Sequence, residues 1–151
     1  MAARMVEVGG KPEVLRVARA RGLIRLREET VRRILEGRVE KGDPLAVAQV
    51  AAILAVKKTP EIVPLCHPIP ITGVKVDFDV RDREVEVTVE VRAVARTGVE
   101  MEALTGVMAA LLAIWDVVKA YEKDERGQYP ETEIYGVKVL EKVKGGRLEE
   151  G

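Results

Sequence analysis

Asparagine is missing from this chain, and glutamine occurs only at Gln49 and Gln128. With thermolabile amides scarce and Lys, Arg and Glu abundant, the balance fits a heat-adapted source. There is a single cysteine, Cys66. It excludes an internal disulfide and accords with a reducing compartment. One Trp, three Tyr and one Phe are too few for a base-stacking platform. Neither sign of charge is in excess, with Lys+Arg and Asp+Glu at 25 each. Such a chain has no overall pull toward nucleic acid or an anionic membrane, and neither is expected as a partner. The N-terminus MAARMVEVGG lacks the apolar run of a signal peptide. The longest apolar stretch, Val107 to Ala120, is interrupted by Asp116 and Lys119 and reads as too short to span a bilayer. A cytoplasmic protein is expected.

What is present is ordinary globular material. The chain has 151 residues, 47% hydrophobic and 33% charged, and reads as one domain. At this size roughly 68–70% of the unfolded surface can be buried without staples. Residues 13–26 are part apolar and β-branched with poor alternation, so strand and helix compete. Residues 28–36 read as a short helix stopped by Gly37. Asp43 and Pro44 suit the N-cap and first position of a helix reaching about Lys58. That helix is apolar on nearly every side, which predicts burial on more than one face. In VKVDFDV (74–80) and VEVTVEV (85–91), apolar and polar residues alternate across a short polar turn, the pattern of an antiparallel hairpin with one buried face. A long helix to Lys123 and a strand over 135–143 complete the chain. With the first segment taken as a strand, the order is β-α-α-β-β-α-β. This predicts an α+β fold, a ferredoxin-like antiparallel sheet with helices on one face.

The only histidine, His67, follows Cys66 within EIVPLCHPIPITG, flanked by Pro64, Pro68 and Pro70. Zinc needs three or four ligands, which one Cys and one His do not supply, so no metal is expected. Neighbours in an extended segment point to opposite sides, which excludes a Cys–His dyad. A fixed imidazole remains, suited to binding a ligand or moving a proton, or else satisfied by backbone. In VMAALLAIWDVVKAY, Asp116 has apolar neighbours, and Lys119 is the charged residue one turn on. The pattern predicts a buried Asp–Lys pair with shifted pKa values, a candidate acid–base couple or a helix-register device. In RTGVEMEALTG, Glu100 and Glu102 would lie on opposite faces of a helix and share a side only in extended chain. They could grip a donor-rich ring or simply complement a helix dipole. Glu102 and Asp116 are almost four turns apart and share a face if both are helical. Lys41 precedes the expected cap Asp43, near a helix N-terminus where phosphate would suit; Lys11, Arg16, Lys57 and Lys58 are further basic residues near element ends.

Taken in order, KGDP, KKTPEIVPLCHPIPITGVKVDFDV, RTGVEMEALTGV and IWDVVKAYEKD resemble the cyclic pyranopterin monophosphate synthase family of molybdenum cofactor biosynthesis. The likeness covers about residues 5–124 and, weakly, the last strand. It implies a ferredoxin-like homohexamer, a trimer of dimers, with its site at a dimer interface. It implies a lyase that turns a cyclic dihydroguanosine triphosphate into cyclic pyranopterin monophosphate and pyrophosphate, with no cofactor. By the same resemblance Asp116, Lys119, Lys41 and His67 are the expected catalytic residues. Leu65, Cys66, His67, Glu100, Met101, Glu102 and Lys57 are expected to hold substrate, with Lys11 and Arg16 reaching the triphosphate from the neighbouring subunit. Where the family has Ser-Gly-Gly-Lys after a lysine, this chain reads EKVKGGR, so either Lys142 or Lys144 takes that lysine's place. The stretch 125–136 is longer than the family's connection and is expected to be a surface loop. A non-catalytic oligomeric module for a purine nucleotide or pterin is the alternative, and a buried Asp116–Lys119 pair would speak against it.

Overall fold

A computed structural model describes residues 1–145. The elements are β1 (Val14–Arg25), α1 (Glu28–Glu36), α2 (Pro44–Lys57), α3 (Thr59–Ile62), β2 (Ile71–Arg81), β3 (Glu84–Ala95), α4 (Glu100–Glu122) and β4 (Glu133–Lys144). The strands form one antiparallel sheet in the order β2-β3-β1-β4, the ferredoxin-like arrangement. α4 lies on the sheet with α2 beside it, and the core fills the space between.

The alternating run of β3 puts Val85, Val87, Val89 and Val91 wholly under the helices. β2 pairs with β3 at the edge of the sheet, so its matching valines and Phe78 are only partly covered. The first segment proves to be a strand. Its alternation is blurred because consecutive residues such as Val17 and Ala18 are both buried, and its pairing with β4 shifts register after Arg19 and again after Arg21. Gly22 in β1 is required by close approach. A Cβ there would lie 2.8 Å from Val107 Cγ1 and Val137 Cγ2 and 2.9 Å from Leu111 Cδ1.

α1 ends where Gly37 takes φ 69°, and Arg38 N–H closes onto Arg33 at 2.8 Å. Its N-cap residue, Arg27, offers no side-chain acceptor. The missing acceptor comes from the far end of α4. The fully buried Glu122 accepts from Arg27 N–H at 3.1 Å, from the Thr30 hydroxyl, and from Thr132 Oγ1 at 2.8 Å. Of the expected surface loop 125–136, residues 133–136 already belong to β4, and the rest is tied down: Thr132 is buried, Asp124 Oδ1 accepts from Arg126 and Gln128 N–H at 2.9 Å, and Tyr129 packs edge-on to Trp115.

α2 starts as expected, with Asp43 Oδ1 accepting from Leu45 N–H at 2.9 Å and Pro44 at the first position. Its expected burial on several faces is not met in the single chain. Ala48, Ala52 and Val56 are buried, but Val47, Val50 and Leu54 are exposed because no further layer covers the helices. The one-turn α3 was not anticipated; Thr59 Oγ1 donates to Ala55 and Val56 carbonyls at 3.0 Å. α4 also corrects the reading of Val107–Ala120. The whole helix is 23 residues, long and apolar enough to cross a membrane by length and composition, but half of that window is buried within the protein. Its apolar side is core.

Candidate active site

The Pro-rich segment after α3 runs past the N-terminus of α4. Cys66 N–H donates to Val63 at 3.1 Å, fixing a turn, and Pro68 keeps His67 from helical geometry. Leu65, Cys66, His67, Glu100, Met101 and Glu102, with Ile69, Thr97 and Gly98, line a hollow of about 140 Å³. Glu100 and Glu102 therefore share a side although both are helical. The reason is Gly98. The Glu100 carboxylate folds back over it, and a Cβ there would overlap Glu100 Oε2. From β4, Lys142 Nζ reaches Glu100 Oε1 at 3.5 Å. Lys142 thus pairs with a carboxylate that lines this hollow.

Glu102 is only 2% exposed, and burial pushes its pKa up, with Glu100 adding to the rise. Burial, then Glu102 and Glu100, raises the Cys66 thiol too, which holds it protonated. It is a weak donor, not a nucleophile. His67 also lines a 250 Å³ hollow with Val8, Glu13, Pro68 and Arg96, and a 430 Å³ hollow with residues 5–9 and Arg96. Its ring makes no hydrogen bond among the described residues, so backbone does not satisfy it.

The second cluster lies further along α4. Lys119 Nζ meets Asp116 Oδ1 at 2.9 Å, and Lys41 Nζ stands 3.7 Å from Oδ2 and 3.4 Å from the Asp116 carbonyl. The expected burial of this pair is wrong. The Asp116 and Lys119 side chains are 61% and 40% exposed, because their apolar neighbour Leu112 is itself exposed. The pKa shifts are accordingly those of an exposed ion pair and not of a buried one. With little desolvation, the hydrogen bond to Asp116 holds Lys119 above its ordinary value, and Lys119 holds Asp116 below its own. The pair is an ammonium donor beside a carboxylate, with Lys41 a second cation. Tyr121, which sequence reasoning missed, supports Lys41: its hydroxyl accepts from Glu40 N–H at 2.9 Å, and Arg33 stacks on its ring at 4.4 Å.

Of the remaining expected residues, Arg16 is only 8% exposed and donates through Nε to Ala95 O at 3.3 Å and through Nη2 to Arg96 O at 3.1 Å. In this chain it props the strand end beneath the hollow. Lys11 is exposed in the N-terminal arm, and Lys57 is exposed in the last turn of α2. Arg96 was also missed; the signal was its place immediately before the Thr97-Gly98 turn.

Glu102 and Asp116 are fourteen residues apart on one helix, roughly 21 Å along its axis. One chain therefore carries two separate clusters: a recess with two carboxylates and an imidazole, and an exposed cationic cluster with an acid. The ferredoxin-like sheet and these two clusters place the chain in the class of α+β enzymes that act on small molecules. The chain belongs to the MoaC family, whose model matches residues 5–145. A probable cyclic pyranopterin monophosphate synthase of Pyrococcus horikoshii is 64% identical over 141 residues, 93% of this chain and 89% of that protein. Proteins of the same printed name from Pyrococcus furiosus and Archaeoglobus fulgidus are 60% and 56% identical over 144 residues, each covering 95% of this chain and 92% of the relative.

Proposed function

We propose that this chain is a lyase of molybdenum cofactor biosynthesis that converts a cyclic dihydroguanosine triphosphate into cyclic pyranopterin monophosphate and pyrophosphate. The observation that carries the chemistry is the pairing of Glu100 and Glu102 in one recess beneath an unpartnered His67 ring. A guanine-derived ring offers N–H donors, which carboxylates accept, and His67 has both a donor and an acceptor to offer. The ring rearrangement needs repeated proton transfers. Lys119, held protonated by Asp116, supplies protons to nitrogen or oxygen as bonds break; Asp116 orients it. Lys41 and Lys119 carry the positive charge that a triphosphate requires.

The two half-sites are too far apart along α4 to serve one small molecule within a chain. Two copies, each giving one half, make a complete site, and the exposed Val47, Val50, Leu54, Met108 and Leu112 offer apolar surface for assembly. A trimer of such dimers, acting in the cytoplasm, is the assembly this reading takes. The test is incubation of the purified protein with the cyclic triphosphate, followed by assay of pyrophosphate and of the pterin. Release of both supports the proposal. Absence of both from a folded, assembled preparation defeats it. Asp116→Asn and Lys119→Ala should fold as the parent does and lose turnover at least ~100-fold, the scale of general acid–base catalysis.

A further inference from the structure

We infer that Arg96 is a positioning residue of this site: it latches the N-terminal arm over His67, so that residues 5–9 form the outer wall of the substrate cavity. The inference rests on the function proposed above.

Residues 1–13 belong to no strand or helix, and only Val8 among residues 1–10 is partly covered. The arm has little internal structure. Lys11 N–H donates to Val8 at 3.0 Å, and Gly9 N–H donates to the Glu7 carboxylate at 2.6 Å. Left to itself such a segment would not hold a place. The tie to the body is Arg96, whose Nε donates to the Lys11 carbonyl at 3.2 Å and whose Nη1 stands 3.7 Å from Glu13 Oε1.

The anchor of this latch is itself fixed. Arg96 follows the last residue of β3, and the buried Arg16 donates to the carbonyls of Ala95 and Arg96 from beneath. One guanidinium under the strand end thus sets the backbone from which the second reaches outward. The place matters because both outer hollows that share His67 include arm residues, Val8 and Glu13 in one and Met5 to Gly9 in the other, and both include Arg96. Lifting the arm opens the side of His67 away from Glu102 to water. A fork of fixed donors suits this task better than a lysine, which offers one mobile point charge.

Because the arm is tied by one neutral-acceptor hydrogen bond and one exposed ion pair, releasing it should weaken substrate binding without removing any reacting group. Arg96→Ala should raise KM for the cyclic triphosphate about five- to tenfold, the size of one lost hydrogen bond, and leave kcat within about twofold. Hydrogen exchange of the free variant should be faster at the Lys11 amide than in the parent, and Arg96→Lys should recover part of both effects. An unchanged KM in Arg96→Ala overturns the inference. So does a raised KM with parental exchange in the arm, which would make Arg96 a direct substrate contact. If the parent itself turns nothing over, the proposed function fails, and the exchange measurement, made without substrate, still decides the latch.

Discussion

Replacing Glu102 by Gln should make this protein more stable and less useful. Glu102 is 2% exposed, its pKa is raised by burial, and Glu100 lies near enough to add to the rise. The folded state therefore holds the proton more tightly than the unfolded chain. Stability is then greatest below the unfolded pKa of about 4.3 and declines as pH climbs toward the raised folded value. Desolvating an acceptor costs about 1–3 kcal/mol. A backbone N–H that bonds the carboxylate offsets part of this, which leaves about 1 kcal/mol to recover. Gln keeps the shape and removes the charge. For a chain of 151 residues that gain corresponds to a Tm about 2–4 °C higher at pH 7. The gain should shrink toward zero near pH 4, where Glu102 carries its own proton. Activity should move the other way, with kcat/KM down about 10- to 100-fold through loss of a charge-assisted acceptor. The assay is a set of thermal melts at fixed protein concentration from pH 4 to 8, with turnover measured beside it. A lower Tm at pH 7, or an equal gain at pH 4 and pH 7, would refute the reasoning.

Glu122→Ala leaves the Arg27 amide and the Thr30 and Thr132 hydroxyls without their acceptor. It should lower unfolding stability by about 3 kcal/mol in a denaturant titration, and a loss under ~1 kcal/mol would show that water replaces the carboxylate. Gly22→Ala forces a methyl against Val107, Val137 and Leu111 at under 3 Å and should cost about 1–3 kcal/mol by the same titration. Co-expressed Glu102→Gln and Lys119→Ala chains, each impaired alone, should together regain about a quarter of parental activity, since half the dimers are mixed and each mixed dimer has one intact site. No recovery in mixed oligomers shown to form would mean that both half-sites act within one chain.

The hairpin of β2 and β3 was legible because one face of each strand meets the core and a period of two survives in the sequence. The C-terminal end of α1 and the start of α2 were legible because Gly37, Asp43 and Pro44 act locally. β1 was ambiguous because consecutive residues along it are buried, so no period of two survives there. The residues of the candidate site could be named from motifs, but their burial could not. A run of apolar neighbours around Asp116 looks the same whether those neighbours are covered or, like Leu112, stand in the open. The convergence of Glu100 and Glu102 hangs on a missing side chain at Gly98, and the cap on α1 comes from Glu122, 95 residues beyond Arg27. Neither leaves a periodic trace.

The rigidity of α4 has a consequence for how much enzyme a cell must keep. A continuous 23-residue rod has no hinge by which its two ends could fold toward each other, so under the proposed function a lone copy has no route to a working centre. Specific activity becomes a property of abundance: diluted below the point where copies remain associated, the protein should fall silent while every molecule in the tube is still folded.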